Sequence, residues 1–367
     1  MTNDASAMAE ALALAAQAIG LSEPNPRVGC VIANRDGTVL GRGFTQEAGG
    51  AHAEVMALRD AAARGSDVRG ATVHVTLEPC AHRGRTPPCA DALVAAGVGR
   101  VVMAMRDPNP LVAGRGAARL QTAGIATAWG PGEAEARELN IGFVSRMERG
   151  RPWLRMKTAV SLDGRSALAD GTSQWITGEA ARADGHAWRK RAGAVLTGVG
   201  TVLDDDPRLD VRLVPTARQP LRVVVDSRLE TPPAARILHR PGAVLVYAAV
   251  DDAGRRQALQ ERGAEIAFMP SASGKVDLSA MLADLGARGI NELHVEAGEK
   301  LNASLLAAQL VDELLIYVAP SLIGPGRALA ALSGLAGLDQ RLRFAFERVD
   351  KVGADLRLLL RPLPAPG

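Results

Sequence analysis

Only three cysteines occur in 367 residues, Cys30, Cys80 and Cys89, and none lies in the second half of the chain. So sparse and odd a set builds no disulfide framework and points to a reducing compartment, the cytoplasm. No apolar stretch approaches the roughly 20 residues that cross a bilayer, so no membrane partner is expected. The opening stretch MTNDASAMAEALALAAQAIG lacks the basic start of a secretory leader. Its Met8, Leu12, Ala15 and Ile19 instead recur at helical spacing and predict the first helix of the fold. Long basic runs are also missing, and 43 basic against 40 acidic residues leave a formal charge of +3. That balance excludes the electrostatic footprint of a nucleic-acid binder, while scattered arginines still suffice for small phosphates. No GxGxxG follows a predicted strand, which argues against a Rossmann-type dinucleotide site.

What is present is length and alternation. A chain of 367 residues with 47% apolar and 23% charged residues has the size and composition of two soluble domains. In the first half, residues 28–32 read as a buried strand, with Asp36-Gly37 marking a hairpin to residues 38–40. An alanine-rich helix over 52–63, a strand over 71–77, a helix from residue 90 and a strand over 100–105 follow. After these come a helix over 116–123, an extended piece at 125–128 and a helix over 131–150. Strands alternating with helices predict a largely parallel sheet covered on both faces, with sites at the loops beyond strand ends. The texture changes at residues 148–152, the expected domain boundary, after which short strands are predicted at 154–156, 194–197, 221–225, 243–247, 293–296 and 314–318.

One stretch carries recognisable chemistry. His52 and Glu54 open the alanine-rich helix, and Glu78-Pro79-Cys80, the insert AHRGRTPP and Cys89 follow the next strand. One imidazole and two thiolates supply three ligands, and a catalytic zinc keeps a fourth position for water or substrate. Glu54 is then available as the acid/base that moves the proton between water and a leaving amine. Residues two apart do not share a face of a regular helix, so His52 has to lie at the helix entry for Glu54 to serve the same site. Histidine, a glutamate two residues on, then Pro-Cys and a further cysteine form the nucleobase-deaminase signature, here with eight residues between the cysteines instead of two. Cys30 sits inside an apolar strand and reads as core.

The segments HAEVMALRDA, VTLEPCAHRGRTPPCADAL and RDPNPLVAGRG resemble the deaminase half of the bifunctional riboflavin-biosynthesis deaminase-reductases, members of the cytidine-deaminase-like superfamily. KTAVSLDGRSA, DGTSQWITG, GVGTVLDDDPRLDVR, VVDSRLETP and HVEAGEKLNASLL resemble the reductase half. The resemblance implies an α/β chain with a cytidine-deaminase-like three-layer α/β/α domain over 1–147 and a dihydrofolate-reductase-like α/β domain over 151–364. It implies Zn2+ on His52, Cys80 and Cys89, catalysis by Glu54, and NADPH as second cofactor. Asn25, His82 and Arg85 would touch a phosphorylated pyrimidine in the first domain. In the second, Lys157, Ser173, Arg189, Leu209, Arg212 and Glu296 would touch substrate. Ala159, Trp175, Thr201, Asp205 and Ser227, with the run Gly298, Glu299, Lys300, Leu301, Asn302, Ala303 and Ser304, would line the NADPH site. Core packing for Trp175 and a turn carboxylate for Asp205 are the structural alternatives. Small molecules are the expected partners, and a homo-oligomer is compatible with this reading.

The cysteine-free second half separates the two chemistries. Cys80→Ser is expected to lose zinc and deamination yet still oxidise NADPH when given the deaminated intermediate. Loss of both activities in a folded protein would contradict the partition.

Overall fold

In the computed structural model, which describes residues 4–81, 87–110, 112–239, 241–334 and 336–364, the first sheet begins with a hairpin. Helix α1 (Asp4–Ala16) leads to strand β1 (Gly29–Ala33), which turns back as β2 (Val39–Phe44). Gly37 takes φ +96° in the turn, and the Thr38 N–H donates to Asn34 Oδ1 at 2.9 Å and Asp36 Oδ1 at 2.8 Å. The remaining elements are α2 (Ala53–Ala63), β3 (Thr72–Val75), α3 (Cys89–Ala95), β4 (Arg100–Met103), α4 (Arg115–Thr122), β5 (Ala126–Trp129), α5 (Glu133–Leu139) and α6 (Ile141–Arg149).

The sheet order is β2-β1-β3-β4-β5. Strand β1 is antiparallel to both neighbours, and only β3, β4 and β5 pair in parallel. The expected largely parallel sheet is therefore mixed. Strands β2 and β3 do run the same way across helix α2, but β1 lies between them in the opposite sense. Two close approaches fix the layers. A Cβ on Gly29 would meet Ala11 O of α1 at 1.9 Å, whereas one on Gly43 would meet Ala53 O of α2 at 2.3 Å. Gly43 pairs with Cys30, the residue after Gly29, and successive residues point to opposite faces. So α1 and α2 cover opposite faces of the sheet, and alanines at 53, 57 and 61 let α2 lie close on β2.

The helix expected over 131–150 is two helices. Asn140 (φ −105°, ψ 19°) breaks it, and its buried amide turns to the chain ahead of β1. Oδ1 accepts the Arg27 N–H at 2.7 Å and Nδ2 donates to Arg27 O at 2.9 Å. A pairing over 113 residues of sequence separation is invisible to local periodicity.

A second compact unit covers Arg151–Gly367, after a first over Met1–Gly150. Its elements are β6 (Trp153–Ser161), β7 (Arg165–Leu168), α7 (Glu179–Arg191), β8 (Ala194–Gly198), α8 (Val199–Asp205), β9 (Leu221–Val225), β10 (Val244–Ala248), α9 (Ala253–Glu261) and β11 (Ala264–Phe268). Then come α10 (Leu278–Ala287), β12 (Glu292–Val295), α11 (Glu299–Ala307), β13 (Glu313–Ala319), β14 (Gly326–Ala328), β15 (Phe344–Val352) and β16 (Asp355–Pro362). Nine strands form one sheet in the order β11-β10-β9-β8-β12-β6-β13-β16-β15, and β7 pairs with β14 apart from it. Pairings are parallel from β11 to β13 and antiparallel at β16 and β15. The six strands expected here all form, each within a residue or so except the longer β6. Strands β15 and β16 escaped the reading because charged residues interrupt them, whereas the buried central strands are continuous apolar runs.

At the start of the central strands lies a buried ion cluster. Arg155 of β6 is 1% exposed and donates to Glu292 of β12 at 2.8 Å and to Glu313 of β13. The Trp188 ring lies 4.4 Å from its guanidinium carbon, Arg191 shares Glu292 Oε2 with it at 2.8 Å, and Arg361 takes the other oxygen of Glu313 at 3.3 Å. Removing the shared cation leaves each of two buried carboxylates one partner short. Arg155→Met is therefore expected to destabilise this unit by about 3–5 kcal/mol in denaturant unfolding followed by tryptophan fluorescence. An unchanged midpoint would show that the cluster does not hold the strands together.

Candidate active sites

Strand direction gathers the first site. Because β1 runs against its neighbours, the entry to β1 lies at the same end of the sheet as the exits from β2, β3 and β4. Thr45 N donates to Val28 O at 2.9 Å, Thr76 N to Gly29 O at 3.0 Å, and Glu78 N to Met105 O at 3.0 Å. Asn25 belongs to the entry, in a turn closed by Ser22 Oγ donating to Asn25 O at 3.2 Å. His52 follows the exit of β2, and Cys80 that of β3.

His52 is the residue before the first turn of α2 and has extended backbone, φ −76° and ψ 166°. That is the helix-entry placement the sequence argument required. Its Nδ1 lies 3.1 Å from Cys89 Sγ and 3.7 Å from Cys80 Sγ, and the three donor atoms all lie within 4.8 Å of one another. Bond lengths of about 2.3 Å to sulfur and about 2.0–2.1 Å to nitrogen fit zinc into a donor triangle of this size, and the softness of the donors suits it. Cys89 opens α3, its N–H donating to Cys80 Sγ at 3.3 Å, while Ala90 N donates to Cys80 O at 3.1 Å. One helix start thus braces both sulfurs.

Glu54, in the first turn of α2, is 4% exposed. Burial and the nearby Cys80 thiolate push its carboxyl up to about 7. The hydrogen bond from Cys89 draws the Cys80 thiol down to about 4, the Cys89 thiol rises in return, and hydrogen bonding to Cys80 raises His52. His82 and Arg85 lie outside the described residues. Cys30 is fully buried in β1, as a core cysteine should be.

A further residue had no assigned part in the sequence reading. Glu78, 2% exposed, accepts backbone N–H groups from Gly114 at 3.0 Å, Gly116 at 3.0 Å, Ala117 at 3.1 Å and Asp107 at 3.4 Å. It ties the cysteine loop to the start of α4. The available signal was an acid immediately before Pro-Cys and a glycine-rich loop downstream whose amides needed an acceptor.

The second site also forms at strand ends. Since β6, β8, β9 and β12 are parallel, their carboxyl ends coincide, the usual place for a ligand in such a sheet. Glu296, just past β12, is anchored by its N–H donating to Leu196 O at 2.8 Å. Its carboxylate meets Arg189 Nη2 at 3.0 Å, Lys157 Nζ at 3.6 Å and His294 Nε2 at 3.3 Å. Burial works to raise this acid, but Arg189 and Lys157 hold it well below the ordinary range. Lys157 Nζ also stands 5.9 Å from the Tyr317 ring centre, and Ala159 pairs with Tyr317 in the sheet.

The other expected residues make contacts of their own. Ser173 Oγ donates to Asp205 Oδ1 at 2.9 Å, which ties Asp205 to the loop before α7 and makes it more than a turn carboxylate. Trp175 is 65% exposed, with the Arg182 guanidinium carbon 4.7 Å from its ring, so core packing does not explain it. Thr201 Oγ1 accepts the Gly298 N–H at 3.1 Å, joining α8 to the start of α11, and Leu301 packs beside Gly198. Glu299 Oε2 accepts Ala328 N at 3.0 Å, and Ser304 Oγ donates to Lys300 O at 3.0 Å. Asn302 is 1% exposed and spends its amide on Ala297 O and Leu329 O, whereas Ala303 is half-buried. Ser227, after β9, accepts Val276 N at 3.2 Å. Leu209 is buried at φ +51°, and Arg212 is exposed.

These two sites define a two-domain enzyme in which a zinc-type pyrimidine deaminase is joined to a reductase. The family model for the cytidine and deoxycytidylate deaminase zinc-binding region matches residues 1–105, and that for the RibD C-terminal domain matches 152–358. The chain is 46% identical over 366 residues to the riboflavin biosynthesis protein RibD of Escherichia coli, covering 96% of this chain and 98% of that one. The RibD of Aquifex aeolicus is 38% identical, with 98% of each covered. Among solved structures, Acinetobacter baumannii RibD matches at TM-score 0.89 and 42% identity, over 98% of this chain and 99% of that one. The chain belongs to the RibD family. It is a deaminase-reductase of riboflavin biosynthesis, with zinc and NADPH as its cofactors.

Two glycines make close contacts next to the metal donors. Gly43 admits the first turn of α2, and a Cβ on Gly116 would meet Pro79 O at 1.9 Å, next to Cys80. Displacements near 1 Å at a reacting centre cost about 100-fold in rate. Gly43→Ala and Gly116→Ala are each expected to cut deaminase turnover by about that factor and to lower zinc content, with NADPH oxidation retained. Full deaminase activity in both would show that these contacts do not position the donors.

Proposed function

We propose that the N-terminal unit hydrolyses the 2-amino group of 2,5-diamino-6-(5-phosphoribosylamino)pyrimidin-4(3H)-one. The C-terminal unit then reduces the ribosyl chain of 5-amino-6-(5-phosphoribosylamino)uracil to ribityl. A protein of Thermotoga maritima described as this deaminase and reductase is 32% identical, with a TM-score of 0.88 over 98% of this chain and 99% of that one. The observation that carries the first step is the His52, Cys80 and Cys89 donor set with the Glu54 carboxyl buried beside it. The metal held there supplies Lewis acidity. Glu54 takes the proton from the attacking water and passes it to the leaving nitrogen, which departs as ammonia. Asn25, His82 and Arg85 hold the pyrimidine and its phosphorylated sugar.

In the second unit NADPH supplies the hydride, and the protein supplies position and charge. Trp175, Thr201, Asp205, Ser227 and the 298–304 run receive the cofactor. Ser173, Arg189, Leu209 and Arg212 receive the substrate. Lys157 and Glu296, an ion pair at 3.6 Å, are the ionisable groups assigned to the opened sugar. We assign the site to the cytoplasm, with small-molecule substrates, and no described helix is long and apolar enough to cross a membrane.

Ammonia and NADPH followed in one tube after addition of the diaminopyrimidine phosphate test both steps. Ammonia is expected first and NADPH loss second. Glu54→Gln is expected to keep zinc but slow ammonia release by about 10²–10⁴-fold, with NADPH oxidation restored by added deaminated intermediate. Glu54→Gln releasing ammonia at the parent rate would refute the assigned proton transfer. NADPH loss without prior ammonia would refute the order.

A further inference from the structure

Helix α7 presents Arg182, His186 and Arg189 at i, i+4 and i+7, a single stripe of the helix. Each reaches a residue of the reductase site. Arg182 stacks over Trp175, and Arg189 holds Glu296. Between them His186, 5% exposed, uses Nδ1 to accept the backbone N–H of Arg212 at 3.1 Å. A backbone amide only donates, so Nδ1 is the unprotonated nitrogen and the ring proton sits on Nε2.

The segment that His186 grips needs external support. Leu209 stands at φ +51°, a conformation costly for a leucine, and the three residues that follow pair with no strand. They are pinned by side chains instead. Arg189 Nη1 donates to Asp210 O at 2.9 Å, and Gln219 bonds both N and O of Val211 at 2.7 and 2.8 Å. His186 takes Arg212 N. The buried Asp210 carboxylate draws Arg208 at 3.0 Å and Arg212 at 2.7 Å, each with a side chain 42% exposed. Two guanidinium groups are thereby offered to solvent from one anchored turn, an arrangement suited to a phosphate monoester.

We propose that His186 is a positioning residue for the reductase, fixing the backbone of Arg212 so that its guanidinium meets the phosphate of the substrate. This rests on the reading of Arg212 as a substrate contact. His186 is suited to the role because it stays a neutral acceptor. Burial, then the charges of Arg189 and Arg212, push its pKa down to about 4 against the opposing pull of Glu296 and Asp210.

The test is steady-state reductase kinetics of the full chain on the deaminated phosphorylated substrate, with ammonia release from the diaminopyrimidine as a check on each preparation. His186→Leu is expected to raise the substrate KM about tenfold, the equivalent of one lost hydrogen bond of about 1.4 kcal/mol, while kcat and the KM for NADPH change far less. His186→Asn places an oxygen where Nδ1 stood and is expected to restore most of the loss. His186→Gln, whose amide reaches toward the Nε2 position, is expected not to. The Asn and Gln pair keeps the comparison decisive if the leucine variant fails to fold. In an Arg212→Ala background, His186→Leu is expected to add little. An Asn variant no better than Gln, or a His186→Leu effect that persists in full without Arg212, would overturn the proposal. An unchanged KM in Arg212→Ala alone would instead overturn the substrate reading on which it rests.

Discussion

The first unit is organised by a concentration of groups that become anionic together. Two thiols converge on one imidazole, the three donor atoms lying within 4.8 Å of one another, and the carboxyl of Glu54, a residue 4% exposed, is buried near them. Buried charges of one sign resist coexistence, as the upward shift of Glu54 to about 7 and the opposed shifts of the two thiols express. A divalent cation removes the conflict and leaves the carboxyl beside the place where its proton is useful. The surrounding structure serves to bring these groups to that distance, through the reversed β1, the glycine contacts beneath α2 and beside Pro79, and the four amides collected by Glu78.

The second unit solves a different problem with the same construction. Its acid, Glu296, has a side chain 15% exposed, more open than Glu54, and it is shifted in the opposite direction because Arg189 and Lys157 face it. One carboxyl is poised to carry a proton near neutrality and the other is kept ionised, so environment assigns different roles to the same side chain. In both units a residue just past a strand end anchors the cluster, Cys80 beyond β3 and Glu296 beyond β12, and residues of helices or a strand complete it.

Much of this was legible in the sequence. The His52 and Glu54 pair, the two cysteines and the need for His52 at a helix entry are local facts, readable from spacing. The central strands of the second unit were equally plain because fully buried parallel strands are continuous apolar runs. What escaped depends on distant partners. The break at Asn140 answers to Arg27, the antiparallel placement of β1 to strands on either side, and the role of Glu78 to amides 29–39 residues later in the chain. The edge strand β15 and its neighbour β16 were missed since solvated, charged positions interrupt their apolar pattern.

X-ray absorption at the zinc edge, on protein purified without chelators, reaches the central claim most directly. One zinc per chain with two sulfur scatterers at about 2.3 Å and two lighter ones at about 2.0–2.1 Å is expected, because one imidazole, two thiolates and a water complete the shell. A shell of three or four sulfurs, or one with none, would contradict the account.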